Sequence, residues 1–195
     1  MTSFRRIGIT GGIGSGKSYV ARLIQQTYHL PLYDSDSQAR RLMTTSPDIR
    51  RQLCALLGND AYLSDGSLNR PLVARFLFSS EENAARINAI VHPVVRQDWL
   101  RFARDAASPV LIESAILIES GLADTVDAIV AVTAPEALRI QRAMARDGST
   151  EQQVRARIAR QMTDDELLGH AHHVIVNDGR PLQPQIQKIE TTLNP

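Results

Sequence analysis

Near the start of the chain, Gly11-Gly12-Ile13-Gly14-Ser15-Gly16-Lys17-Ser18 fits the pattern G-x-x-x-x-G-K-[ST] and limits the fold more tightly than any other segment. Its neighbours give the pattern a structural meaning. Phe4 to Thr10 ahead of it is apolar and β-branched enough for a strand. Tyr19 to Gln26 behind it puts Val20, Leu23 and Ile24 at helical spacing. Strand, glycine-rich turn and helix in that order make a phosphate cradle. The glycines let backbone N–H groups converge, and the helix N-terminus adds partial positive charge. In such a loop the Lys17 ammonium reaches the β- and γ-phosphates, and the Ser18 hydroxyl is a ligand for Mg²⁺. The expected ligand is a nucleoside triphosphate, held along the backbone by Gly12, Ile13, Gly14, Ser15, Gly16, Lys17 and Ser18.

The 195 residues suit one domain with room for inserted subdomains. A formal net charge of +1 gives no argument for a nucleic-acid or membrane surface. Cys54 is the only cysteine, so no intrachain disulfide can form, and its apolar-periodic surroundings read as a small buried residue. No signal peptide precedes the first strand, and no apolar run reaches membrane-spanning length, so the expected location is cytoplasmic.

Leu30 to Asp34 reads as a short second strand. Helices are predicted over Ser35 to Thr45, with Ser35 or Ser37 as N-cap, over Asp48 to Leu57 up to Gly58, and from Pro71. The stripe Ala84, Ile87, Ile90, Val91 predicts a helix broken at His92-Pro93, and another then carries Trp99 and Phe102 as core residues. Pro109 to Glu113, Ala128 to Thr133 and His173 to Asn177 are continuous apolar runs, as parallel strands buried on both faces require. Pro135 opens a helix bearing Arg139, Arg142 and Arg146. Thr150 with Gln153 signals an N-terminal cap for a helix to Met162, and Pro181 to Leu193 reads as a final helix. The clustered His170, His172 and His173 read as a helix-to-strand turn rather than a metal site. The fold class is α/β, a P-loop three-layer α/β/α sandwich with a parallel central sheet. The expected nucleotide-binding core covers about 1–34, 108–138 and 168–195, with a helical insertion at 35–107 and a helical lid at 139–167.

No N-K-x-D guanine-reading segment is present, which argues against a GTPase, and the small size suits a small-molecule kinase. At this level another P-loop kinase, acting on a nucleoside monophosphate or a sugar acid, remains open. A wider set of segments resembles the dephospho-CoA kinase family. They are Thr10 to Ser18, Asp34-Ser35-Asp36 with Ala39-Arg40, Leu68-Asn69-Arg70, Phe76-Leu77-Phe78 and His92-Pro93. Arg142 to Asp147, Arg157 to Gln161 and Val174 to Gly179 continue the likeness over nearly the whole chain and in the family's order. Two departures stand out: Tyr19 where the loop usually has threonine, and Ala115 where proline is general. The resemblance implies ATP-dependent phosphorylation of the ribose 3′-hydroxyl of dephospho-CoA, with ATP and Mg²⁺ required. Dephospho-CoA and ATP are then the partners, with neither nucleic acid nor membrane, in a monomer or small homo-oligomer.

The acceptor hydroxyl needs a carboxylate to orient it and take its proton. By resemblance that residue is Asp36. On spacing alone Asp34, Ser35 and Asp36 serve equally as helix-capping residues. Charge on the transferred phosphoryl group calls for arginine. Arg146 is the candidate, because it closes the first lid helix beside Asp147-Gly148, while a solvated arginine face is the plainer reading of the same spacing. Asn177 and Tyr19 complete the expected ATP site. Thr10, Asp36, Arg70 and His92 form the expected acceptor set, with Arg70 alternatively in a surface salt bridge and His92 alternatively a helix end. Glu113, at a strand end, either acts through magnesium-bound water or caps the strand towards solvent.

Overall fold

Residues with β-branched side chains on both faces of a strand must be covered on both faces, and the sheet does this. The computed structural model describes residues 5–189. It contains β1 (Arg6–Thr10), β2 (Leu32–Asp34), β3 (Val110–Glu113), β4 (Ala128–Thr133) and β5 (His173–Val176), in the order β2-β3-β1-β4-β5. Parallel registers set Arg6 opposite Val110, Ile7 opposite Ala128, and Val130 opposite His173. All of β3 and most of β4 are buried, while the edge strand β5 leaves Val174 exposed. Asp127 fixes the start of β1: its carboxylate accepts from the backbone N–H of Arg5 and of Arg6, and from Arg6 Nη2, each at 2.8 Å.

From β1 the chain first builds β2 and β3 on one side and then β4 and β5 on the other. The loop after β1 therefore leaves the sheet where the order reverses, the position at which open α/β sheets take ligands. Val20, Ala21 and Ile24 of α1 (Lys17–Tyr28) pack with Ile7, Ile9, Leu111, Val130, Val132 and Ile175, and Ile186 joins them from α9 (Gln183–Gln187). Burying each such side chain contributes roughly 1.5–3 kcal/mol, which makes this cluster the anchor of the loop.

The chain divides into two compact units, Met1–Tyr33 with Ala103–Pro195 and Asp34–Phe102. The second unit is helical: α2 (Ser35–Thr45), α3 (Pro47–Leu57), α4 (Arg70–Leu77) and nearly all of α5 (Glu81–Asp105), with a 3-10 turn at Asn59–Ala61. Tyr62 ties it together by donating its hydroxyl to Met43 O at 2.6 Å beneath the Arg50 guanidinium, 4.4 Å from the ring centre. Arg41 of α2 pairs with Asp98 of α5 at 2.8 Å.

Several expectations need correction. α5 is one helix of 25 residues, not two, so His92 does not end a helix. Pro93 removes one helical hydrogen bond, but the buried stripe Ile87, Val91, Val95, Trp99 continues in register across it and outweighs the loss. The N-cap of α2 is Asp34 rather than a serine: its carboxylate accepts from Ser37 N–H at 3.0 Å. The helix after Thr150 has the predicted capping box but ends early, as α7 (Glu151–Ile158). A second capping box, Thr163 with Glu166, starts α8 (Asp164–His170), which the sequence reading missed. Pro135 is the N-cap of α6 (Glu136–Asp147) rather than its first residue. Cys54 is half-buried, not buried. Phe4 and residues 190–193 of the expected last helix lie outside the described residues.

Candidate active site

Between β1 and α1 the backbone turns through two left-handed glycines, Gly14 at φ 74° and Gly16 at φ 86°, which an L side chain would strain. α1 starts with no capping side chain. Four of the loop's carbonyls have partners. Gly12 O accepts from Ser15 N–H at 3.1 Å and Gly16 O from Val20 N–H at 3.0 Å. Ser15 O accepts from the Asn177 side-chain amide at 2.9 Å, and Ile13 O from Arg139 Nε at 3.0 Å. By contrast, the N–H groups of Gly14, Gly16, Lys17 and Ser18 donate to no protein acceptor among the described residues. A loop most of whose acceptors are taken and whose donors are unclaimed is a receptor for anions.

These donors border a cavity of about 240 Å³ lined by Gly12, Gly14, Gly16, Lys17, Ser18, Arg142 and Arg146. Sites for whole small molecules run to roughly 300–1,000 Å³, so this volume suits the phosphate end of a nucleotide. Glu113, at the end of β3, is only 6% exposed. Its Oε1 lies 3.6 Å from Lys17 Nζ and accepts from Ser18 Oγ at 3.2 Å. A cap facing solvent is therefore excluded for Glu113. A hydroxyl and a carboxylate side by side are hard oxygen donors of the kind Mg²⁺ takes, so this pair fits the ion.

Two arginines of α6 face the cavity. Arg142 Nη1 donates to Asn177 O at 3.0 Å, which seats the end of β5 against the loop. Arg146 donates through Nε and Nη2 to the two Asp147 carboxylate oxygens at 2.7 and 3.0 Å, and Arg157 Nη1 adds a third bond at 2.8 Å. The Arg146 guanidinium, seconded by Arg157, holds the Asp147 carboxyl down to about 2.

The expected residues fall into two groups. Gly12 to Ser18, Arg146 and Asn177 converge in the first unit, although the Asn177 side chain is spent on the loop backbone and is 8% exposed. Thr10 is buried at the end of β1, and Tyr19 is exposed on the first turn of α1. Asp36, Arg70 and His92 belong to the helical unit. Asp36 is exposed in the first turn of α2, where Asp34 already provides the cap. Arg70 is exposed at the start of α4 and forms no ion pair among the described residues. His92 is half-buried in α5, and burial lowers its pKa below the ordinary histidine value.

Sequence reasoning gave no special role to Arg139 or Gln161, both of which bind Ile13. Only the spacing of Arg139 from Arg142 and Arg146 on one helix hinted at a shared face.

A parallel sheet that reverses at β1, a glycine loop with unclaimed N–H donors, and a lysine–serine–carboxylate group beside it define a P-loop kinase. Comparison with known proteins narrows this. A family model described as dephospho-CoA kinase matches residues 5–183. The dephospho-CoA kinase of Bacteroides fragilis is 44% identical over 187 residues, covering 94% of this chain and 90% of that one. A Thermus thermophilus protein of known crystal structure superposes with a TM-score of 0.81 at 30% identity, over 100% of both chains. The dephospho-CoA kinase structure from Campylobacter jejuni shares the fold with a TM-score of 0.68 at 17% identity over 96% of each chain. The chain belongs to the dephospho-CoA kinase family.

Proposed function

We propose that the protein transfers the γ-phosphoryl group of ATP to the ribose 3′-hydroxyl of dephospho-CoA, giving coenzyme A and ADP. The observation that carries this reading is the loop of unclaimed N–H donors beside Lys17 and Ser18, in a chain of this family. The loop amides and Lys17 hold the β- and γ-phosphates and bear the charge that spreads over the equatorial oxygens. Arg146, held in a fixed orientation by Asp147, meets that charge from α6. Mg²⁺, held by Ser18 with Glu113 behind it, supplies further neutralisation of phosphate charge when bound.

Asp36 is the base. Its carboxylate is exposed and carries no capping bond, since Asp34 caps the helix. It takes the proton of the acceptor hydroxyl as the oxygen forms its bond to the γ-phosphorus, and the bond between that phosphorus and the bridging β–γ oxygen breaks to release ADP. Arg70 and His92 serve the acceptor, and the helices of 139–167 close over ATP as a lid that excludes water.

The test is ADP release from ATP-Mg²⁺ with dephospho-CoA, a nucleoside monophosphate or gluconate as acceptor. Stimulation by dephospho-CoA alone, with coenzyme A as product, is expected; a response to another acceptor would overturn the substrate and leave the donor site. In the same assay Asp36→Asn should lower kcat by about 10²-fold or more while ATP still binds. A near-normal kcat would move the base elsewhere.

A further inference from the structure

Gly12 and Gly14 leave the backbone on either side of Ile13 free to rotate, yet three groups from outside the loop fix this residue. Its carbonyl accepts from Arg139 Nε at 3.0 Å, and its N–H donates to Gln161 Oε1 at 2.7 Å. Its side chain packs on Ile140, Ala143 and Val154 of α6 and α7. Arg139 is itself unusual. It is 4% exposed, and Nη1 donates to both oxygens of Asp164, at 2.8 and 3.0 Å. A Cβ at Gly12 would run into its guanidinium, and one at Gly14 into its backbone, so the loop lies tight against Arg139 at both points.

In a trans peptide the C=O and N–H point in opposite directions. No peptide bond among the described residues is cis. The Ile13 carbonyl shares its peptide plane with the N–H of Gly14. When Arg139 holds that carbonyl, the Gly14 N–H is turned away from the Arg139 guanidinium, and it donates to no protein acceptor among the described residues beside the cavity that Gly14 lines.

We propose that Arg139 is a positioning residue for phosphoryl transfer, which aims the Gly14 N–H at the nucleotide phosphates and is itself aimed by Asp164. It acts through the loop and needs no contact with a substrate atom. Gln161 holds the other end of the same residue, so the two side chains grip Ile13 together. Lysine at 139 would not serve, since a single ammonium lacks the planar fork that spans Ile13 O and the Asp164 carboxylate together. The inference rests on nucleotide binding by the loop and not on the identity of the acceptor.

The test combines ADP-Mg²⁺ titration calorimetry, steady-state kinetics and thermal unfolding of the full chain. Arg139→Met keeps the buried stem and removes both donors. Kd for ADP is expected to rise about tenfold or more, and kcat/KM for ATP to fall by at least as much, with the acceptor KM within about twofold. Arg139→Lys should not restore either value. Gln161→Leu added to Arg139→Met should cost less than its effect alone, because both act on one residue. If Arg139→Met does not fold, Asp164→Ala carries the test, with a weaker ADP affinity expected. A variant that melts earlier but binds ADP and turns over ATP as the wild type does would make Arg139 a structural pin only and overturn the proposal. If the wild type binds ADP but ignores dephospho-CoA, the substrate reading falls, while the ADP titrations still decide the role of Arg139.

Discussion

Asp147 shows how one carboxylate can organise the charges around a phosphate site. It receives three hydrogen bonds from Arg146 and Arg157, which lower its pKa to about 2 and keep it ionised near neutrality. A carboxylate depressed in this way stabilises the fold above its unfolded value near 3.8, and the contribution is lost only as the pH falls through about 2. Near neutrality the pair is therefore constant, and in the proposed mechanism it orients the Arg146 guanidinium. Asp147→Asn should lower kcat about tenfold with a stability change under about 1 kcal/mol, because the pair is largely exposed. Assay and urea unfolding together check this, and an unchanged kcat would separate Arg146 from the chemistry. The loop residues Gly12 to Ser18 were legible in the sequence because they are consecutive. Glu113 and Asn177 were expected near the nucleotide from their places at strand ends, whereas Arg139 and Gln161 reach the same loop from distant positions and nothing local in the chain marks them as its neighbours.

Among the elements, α5 is the instructive one. Local rules break a helix before proline, yet the helix runs through Pro93 because four buried residues keep one stripe across it. Tertiary burial overrode a backbone preference, and such burial cannot be seen in a window of sequence. Pro93→Ala should therefore stabilise the protein by about 1–3 kcal/mol, read from the urea midpoint. A loss of stability would show that the ring itself packs. The missed helix α8 has a different cause. Its signal, Thr163 three residues before Glu166, was present and is the same capping box that correctly marked α7. Strands were read well, within two residues at each end, because a sheet covered on both faces leaves uninterrupted apolar runs.

Across the whole molecule, two histidines tie stability to pH. Burial lowers the pKa of His92 and, with the neighbouring His172 adding to it, that of His173. Both folded values lie below the unfolded one of about 6.5, so the unfolded chain takes up protons first as the pH falls. The stability they contribute is complete above about pH 6.5 and is lost as the pH drops through the folded values. The urea midpoint should be lower at pH 5 than at pH 7.5, and His173→Gln should narrow the difference; an identical pH dependence in that variant would remove His173 from the account. The division into units bears on biosynthesis. Asp34–Phe102 is one continuous stretch, so all of it has been made once residue 102 emerges from the ribosome. β1 lies at the middle of the sheet, but Arg6 pairs with Val110 and Ile7 with Ala128. The first strand to be synthesised must therefore wait, unpaired and apolar, through the making of the whole helical unit. Its partners arrive only with the second half of the chain.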